Sequence, residues 1–220
     1  MTPGSDDIAK CGDDAFVTKG LVSRNISYPD ITVQSSRTTF IVGESGTGKT
    51  TLLKLFNQTE TQTSGTVLFF GSDLSGKTME LRRNAILCGQ NVFLFNDTIR
   101  ENFNEFRKYA DHSCMDDHDI IKFLRICCAP EDLDKQCKNM SGGERARVFL
   151  AVHLSFMPRV MMLDEPTSAL DHDTANAVIG NIKTYCVENG ITLIVVSHDR
   201  GIVDTFADHI VDLGGKKNGR

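Results

Sequence analysis

The 220-residue chain has no apolar run approaching the ~18 to 20 residues that a membrane-spanning helix needs. Its first residues are polar and acidic, unlike the basic-then-apolar start of a signal peptide. The expectation is a chain that stays in the cytosol. Positive charge is in short supply too, with 24 Lys and Arg against 29 Asp and Glu, a net charge of -5 and a pI near 5.7. That balance leaves no basic footprint for DNA or RNA, so no nucleic-acid partner is expected. The seven cysteines include the adjacent pair Cys127 and Cys128 but no Cys-x-x-Cys spacing. They read as reduced thiols. His112, Cys114 and His118 crowd together in DHSCMDDHD, yet no second ligand pair stands at zinc-site spacing, and a solvated acidic loop is the better reading. Internal repeats and low-complexity segments are absent as well.

What is present fits one domain with a lobe attached: residues 1–15 as a polar tail, 16–213 as the domain, 214–220 as a second tail. Ile31 to Gln34 and Thr38 to Val42 read as short strands, and TLLKLFN as a packed helix. TSGTVLFFGSDL reads as turn, strand and turn. Residues from about 97 to 145 are expected to form a small helical lobe, with Ile120, Ile121, Phe123 and Leu124 at helical spacing. Arg145 to Phe156 continues as helix, while Val160 to Leu163 and Ile191 to Val196 are apolar strands without alternation. Such strands suit a parallel sheet covered on both faces. The fold class expected is α/β, a P-loop NTPase core with a mainly parallel sheet, a small antiparallel part on the N-terminal side and an inserted helical lobe.

Gly43, Glu44, Ser45, Gly46, Thr47, Gly48, Lys49 and Thr50 form GESGTGKT, which matches G-x-x-x-x-G-K-[ST] between a strand and a helix. In that setting the amides from Gly46 to Thr50 wrap phosphates, Lys49 reaches the β and γ phosphates, and Thr50 holds Mg²⁺. Asp164 and Glu165 stand at the end of an apolar strand, where one carboxylate reaches Mg²⁺ and the next activates a water. His198 stands at the end of another such strand. A second stretch, Ser141-Gly142-Gly143-Glu144, also suits an anion at a helix start, although Ser141 could equally be a helix cap bonded to the amide of Glu144.

Together these motifs resemble those of the ATP-binding cassette (ABC) ATPases, the nucleotide-binding subunits of ABC transporters, and among them the compact cassettes of the iron-export type. The resemblance spans residues 28 to 199 in the family's order. It implies that GESGTGKT, continued by Thr51, is the Walker A loop and that Gln90 is the Q-loop glutamine, shared between catalysis and metal. It implies that MSGGE is the signature, Glu165 the general base, Asp171 the end of the D-loop and His198 the switch histidine. The cofactors implied are ATP and Mg²⁺. Two cassettes, identical or different, would meet head to tail, so that Ser141, Gly142, Gly143 and Glu144 cap the partner's ATP. A separate permease would hold the chain on the cytoplasmic face of the membrane.

Met140 and Glu144 replace the usual leucine and glutamine, mildly. Tyr28 is the expected adenine-stacking residue but stands closer to the loop than the family's aromatic does, so that either the intervening hairpin is shortened, or Phe16 serves instead, or adenine is held loosely. The rival functions are a scaffold ATPase for iron-sulfur cluster assembly and a small-molecule kinase, the latter leaving the SGGE stretch unexplained.

Overall fold

The computed structural model describes residues 14–73 and 78–214. Strand β1 (Asp14–Ser23) turns through Arg24 and Asn25 into β2 (Ile26–Ser27), and both β2 and β3 (Thr32–Gln34) pair antiparallel with it. Ala15, expected at the end of the tail, is instead buried in β1: Phe16 pairs with both Val33 and Phe69, and that register draws its neighbour into the sheet. The rest of the expected N-terminal tail and residues 215–220 lie outside the described residues.

β4 (Thr38–Val42) leaves this sheet for another and feeds α1 (Lys49–Phe56). β5 (Ser64–Phe69) and β6 (Ser72–Asp73) complete the antiparallel sheet, in the order β2-β1-β5-β6 with β3 also on β1. After α2 (Thr78–Asn84) and β7 (Ala85–Cys88) come α3 (Ile99–Tyr109), α4 (Asp117–Ile126), a 3-10 turn at Cys137–Asn139 and α5 (Gly142–Leu154). The chain then alternates through β8 (Val160–Asp164), α6 (His172–Glu188), β9 (Thr192–Val196), α7 (Arg200–Phe206) and β10 (His209–Asp212).

The second sheet is parallel throughout, in the order β10-β4-β9-β8-β7. β8 and β9 are buried at every residue because both faces are covered. Met161, Leu163, Leu193 and Val195 join the core under α5 and α6, while Val160, Met162, Ile194 and Val196 join the core shared with α1 and the antiparallel sheet. Their sequences therefore read as unbroken apolar runs. β4, β8 and β9 end on the same edge, where ligands of open α/β sheets bind.

Two helices fill the expected lobe. Thr98 and Glu101 cap α3 reciprocally, and Asp116 caps α4 through the amide of Asp119. Arg100 pairs with Asp117 and Asp134, fastening α3 to α4 and to the loop beyond it. Ile99, Phe103, Ile120, Phe123 and Leu124 share one core with α5 and α6, so the lobe is packed on the main body. His112 rests on the Phe156 ring and Cys114 is exposed; the polar groups gathered here are Asp116, His118 and Asp119, all exposed at the start of α4.

Candidate active site

β4 delivers the chain into a tight loop whose turn is closed by Thr47, which donates both its amide and its hydroxyl to the carbonyl of Glu44. Gly48 caps α1 in the left-handed conformation, at φ +91°. Lys49, only 6% exposed, bends over the loop and donates to the carbonyls of Gly43 and Glu44, each at 2.9 Å. Its ammonium is thus held over the loop by two of the loop's own carbonyls. Glu44, Ser45 and Gly46 form the exposed or half-exposed rim, with Thr51 one residue into the helix beyond Thr50.

Asp164 ends β8 and is 2% exposed. Burial pushes its carboxyl above the ordinary carboxylate range, with Glu165 adding to the rise, while hydrogen bonds from Thr50 and Gln90 oppose it. One of its oxygens, Oδ1, is buried with no partner. A buried, half-satisfied carboxylate is costly unless a cation completes it. The oxygen donors Thr50, Gln90 and Asp164, all hard ligands, suit Mg²⁺.

Glu165 adopts φ +52°, a left-handed conformation that non-glycine residues hold only under constraint from their surroundings. Its amide donates to the carbonyl of Val196 at the end of β9, and its Oε1 lies 2.9 Å from Nε2 of His198. The bend points the carboxylate past the strand end toward the histidine, so two adjacent acids face different partners.

Ser141 caps α5 and forms a reciprocal box with Glu144: the Glu144 amide donates to Ser141 Oγ at 3.2 Å, and the Ser141 amide to Glu144 Oε2 at 2.9 Å. Lys135 grips the other Glu144 oxygen at 2.6 Å and, with the Ser141 amide, holds that carboxyl down to about 2. The helix-cap reading of the serine is realised, and the two glycines separate in role. A Cβ on Gly142 would meet nothing within 4 Å, whereas one on Gly143 would press on the Ala169 carbonyl at 3.0 Å and on Leu170 at 3.1 Å. Asp171, exposed, caps α6 by accepting from the amide of Thr174.

Gly142, Gln90, Asp164, Glu165 and Ala169 line one cavity of about 310 Å³. Gly43, Glu44 and His198 line another of about 650 Å³. Tyr28 requires a correction: it is 6% exposed beneath the loop, its hydroxyl donating to the Gly48 carbonyl at 3.1 Å, so it presents no ring face to a base. Phe16 is no substitute, being fully buried and stacked on Phe56.

Two residues with structural roles here escaped sequence reading. Lys135 anchors the signature glutamate. Asn102 is fully buried and pins the segment after Gln90 by accepting from the Phe95 amide at 2.8 Å and donating to the Phe95 carbonyl at 3.2 Å. An isolated Lys or Asn in a polar stretch carries no motif, and only folding reveals its partner.

A phosphate loop, a buried Asp and a strained Glu at one edge of a parallel sheet define a P-loop nucleotide hydrolase. Residues 26–168 match the family model described as ABC transporter. The chain is 37% identical over 175 residues to the probable iron export ATP-binding protein FetA of Escherichia coli K12, covering 79% of this chain and 77% of that one. It is 30% identical over 205 residues to the methionine import ATP-binding protein MetN of Bifidobacterium longum, covering 89% of this chain but spanning only 51% of that relative. The solved structure of cbiO1 from Clostridium perfringens, part of the transporter complex cbiONQ, superposes with a TM-score of 0.80 at 25% identity over 91% of this chain and 85% of that one. The chain belongs to the ABC transporter family, as one of its ATP-binding cassettes. These relatives do not favour the scaffold alternative. No helix among the described residues is long and apolar enough to cross a membrane.

Proposed function

We propose that this cassette hydrolyses MgATP between two head-to-tail copies and passes the resulting motion to a separate membrane permease on the cytoplasmic face. The observation that carries the reading is the unpartnered Asp164 oxygen, buried beside Thr50 and Gln90 and next to the Glu165–His198 pair. Lys49 and the amides from Gly46 to Thr50 would hold the β and γ phosphates, with Thr51 following on the same helix start. Thr50, Gln90 and Asp164 would hold Mg²⁺, which when bound neutralises charge on the phosphate oxygens. Glu165, its carboxylate oriented by His198, takes the proton from a water that adds to the γ-phosphorus. The bond to the β–γ bridging oxygen then breaks, leaving ADP and phosphate.

In the dimer, Ser141 and the Gly142 amide at the exposed start of α5 would face the ATP of the partner, where the helix dipole favours an anion. Gly143, Glu144 and Asp171 act from behind by fixing that helix start and the loop beside it. Loss of the γ-phosphate removes the bridge and the copies part.

The permease is expected to dock a cytoplasmic helix in the cleft of about 700 Å³ between α2 and α3. Its rim carries Tyr109, 75% exposed, and Met79 and Met157, also exposed, while Phe93, 57% exposed, extends the same aromatic cluster through Phe95 and Phe106. Apolar surface of this kind on a soluble face marks a partner site. The likeness to an iron-export relative supports metal export as the role of the complex, with the cargo held by the permease. Lys49→Ala should abolish Mg²⁺-dependent phosphate release. Phe93→Glu with Tyr109→Glu should keep phosphate release while losing co-purification with membranes; unchanged release in Lys49→Ala would sink the reading.

A further inference from the structure

The hydroxyl of Tyr28 occupies a place that base stacking does not explain. It donates to the Gly48 carbonyl at 3.1 Å and lies in hydrogen-bond contact with the Thr51 side chain. Those two residues bracket Lys49 and Thr50 at the start of α1. The fit from below is close, since a Cβ on Gly48 would stand 2.5 Å from the Tyr28 oxygen and 2.9 Å from Ile26 Cδ1. Tyr28 is itself held to the antiparallel sheet, its amide donating to the Leu21 carbonyl at 2.9 Å. Burial keeps its phenol above the ordinary tyrosine value, so it remains a protonated donor.

We propose that Tyr28 is a positioning residue of the phosphate loop. Its hydroxyl props Gly48 and Thr51 from the antiparallel sheet and thereby aims the loop amides, while its ring makes no contact with the base. This rests on the phosphate-loop reading above and adds to it the source of the loop's rigidity. Gly48 holds a left-handed conformation, and its carbonyl accepts from both the Leu52 amide at 2.8 Å, as the first bond of α1, and the Tyr28 hydroxyl at 3.1 Å. Without the hydroxyl that carbonyl keeps its helical donor but loses its tie to the antiparallel sheet, and the turn loosens. The phosphates alone report the loss, because the base plays no part in it.

The test compares wild type, Tyr28→Phe and Lys49→Ala as full chains, titrated calorimetrically with MgADP, MgGDP and Mg-tripolyphosphate. Phenylalanine keeps the ring and removes only the hydroxyl. Tyr28→Phe should bind all three roughly 3- to 10-fold more weakly, by the same factor for each, as one net hydrogen bond implies. Affinities unchanged in Tyr28→Phe, with or without a lowered unfolding midpoint, leave Tyr28 a core residue and overturn the proposal. A loss confined to the two nucleotides, sparing tripolyphosphate, overturns it in favour of a base contact. Tripolyphosphate binding that survives Lys49→Ala would overturn the phosphate-loop reading, and the proposal with it.

Discussion

Asp164→Asn should make the nucleotide-free cassette more stable while destroying its activity. The buried oxygen Oδ1 has no partner, and Glu165 follows directly in the chain. Leaving a buried polar group unsatisfied costs about 1 to 3 kcal/mol, and a charge sharpens that cost. Asparagine has the same shape without the charge and keeps an oxygen for Thr50. Taking about 2 kcal/mol as the relief, and roughly 3 °C per kcal/mol for a domain of this length, the unfolding midpoint in EDTA should rise by about 6 °C. With MgATP at about 100 times its Kd, wild type gains roughly 2.7 kcal/mol, or about 8 °C, by mass action. The variant, short of one metal ligand, should gain far less, so the order of the two midpoints reverses. The sign with pH follows from the raised carboxyl. The folded chain binds this proton more tightly than the unfolded chain, so wild-type stability falls as pH rises through that window. The variant's advantage is therefore full at neutral pH and fades as pH drops toward the ordinary carboxylate range. Differential scanning fluorimetry in EDTA and in MgATP reads both effects. A lower midpoint for Asp164→Asn in EDTA would refute the claim that the site is poised for a cation.

Glu165→Gln should retain ATP without cleaving it and accumulate as an ATP-bridged dimer in light scattering. Adding Ser141→Arg should return it to monomer with ATP still bound; a dimer that persists would refute the head-to-tail arrangement. Gly143→Ala should slow phosphate release, because the added methyl presses on the Ala169 carbonyl at 3.0 Å, whereas Gly142→Ala meets nothing in its own chain and should act only in the dimer. A monomer whose thermal stability is lowered equally by both substitutions would contradict that division. Glu144, held down to about 2, contributes stability that is present above its ordinary range and lost as pH falls from about 4.5 toward 2. Glu144→Gln should flatten acid unfolding in that interval, by no more than about 1 kcal/mol for a partly exposed pair, as read from urea midpoints across pH.

Much of this protein was legible in its sequence because its main signals are local. Glycines before Lys49 that open a helix, an apolar strand ending in Asp164 and another ending two residues before His198, and an unbroken Val160–Leu163 run are read from neighbouring residues, and the parallel sheet covered on both faces follows from the last of these. The identity of the partners was not legible, because pairs distant in the chain meet only on folding. β4 sits between β9 and β10, an order set by crossover connections, and that order brings the phosphate loop to the edge shared with Asp164 and Glu165. Tyr28 illustrates the limit most clearly. Its type and position suited an adenine contact, but β1 and β2 fold its hydroxyl under Gly48, and a ring buried in that way serves the loop and not the base. Asn102 and Lys135 likewise acquire their roles only from Phe95 and Glu144. Chemistry that depends on residue type and short spacing was written in the sequence, whereas burial, register and unpaired atoms were decided by tertiary packing, because each depends on what the rest of the chain places alongside.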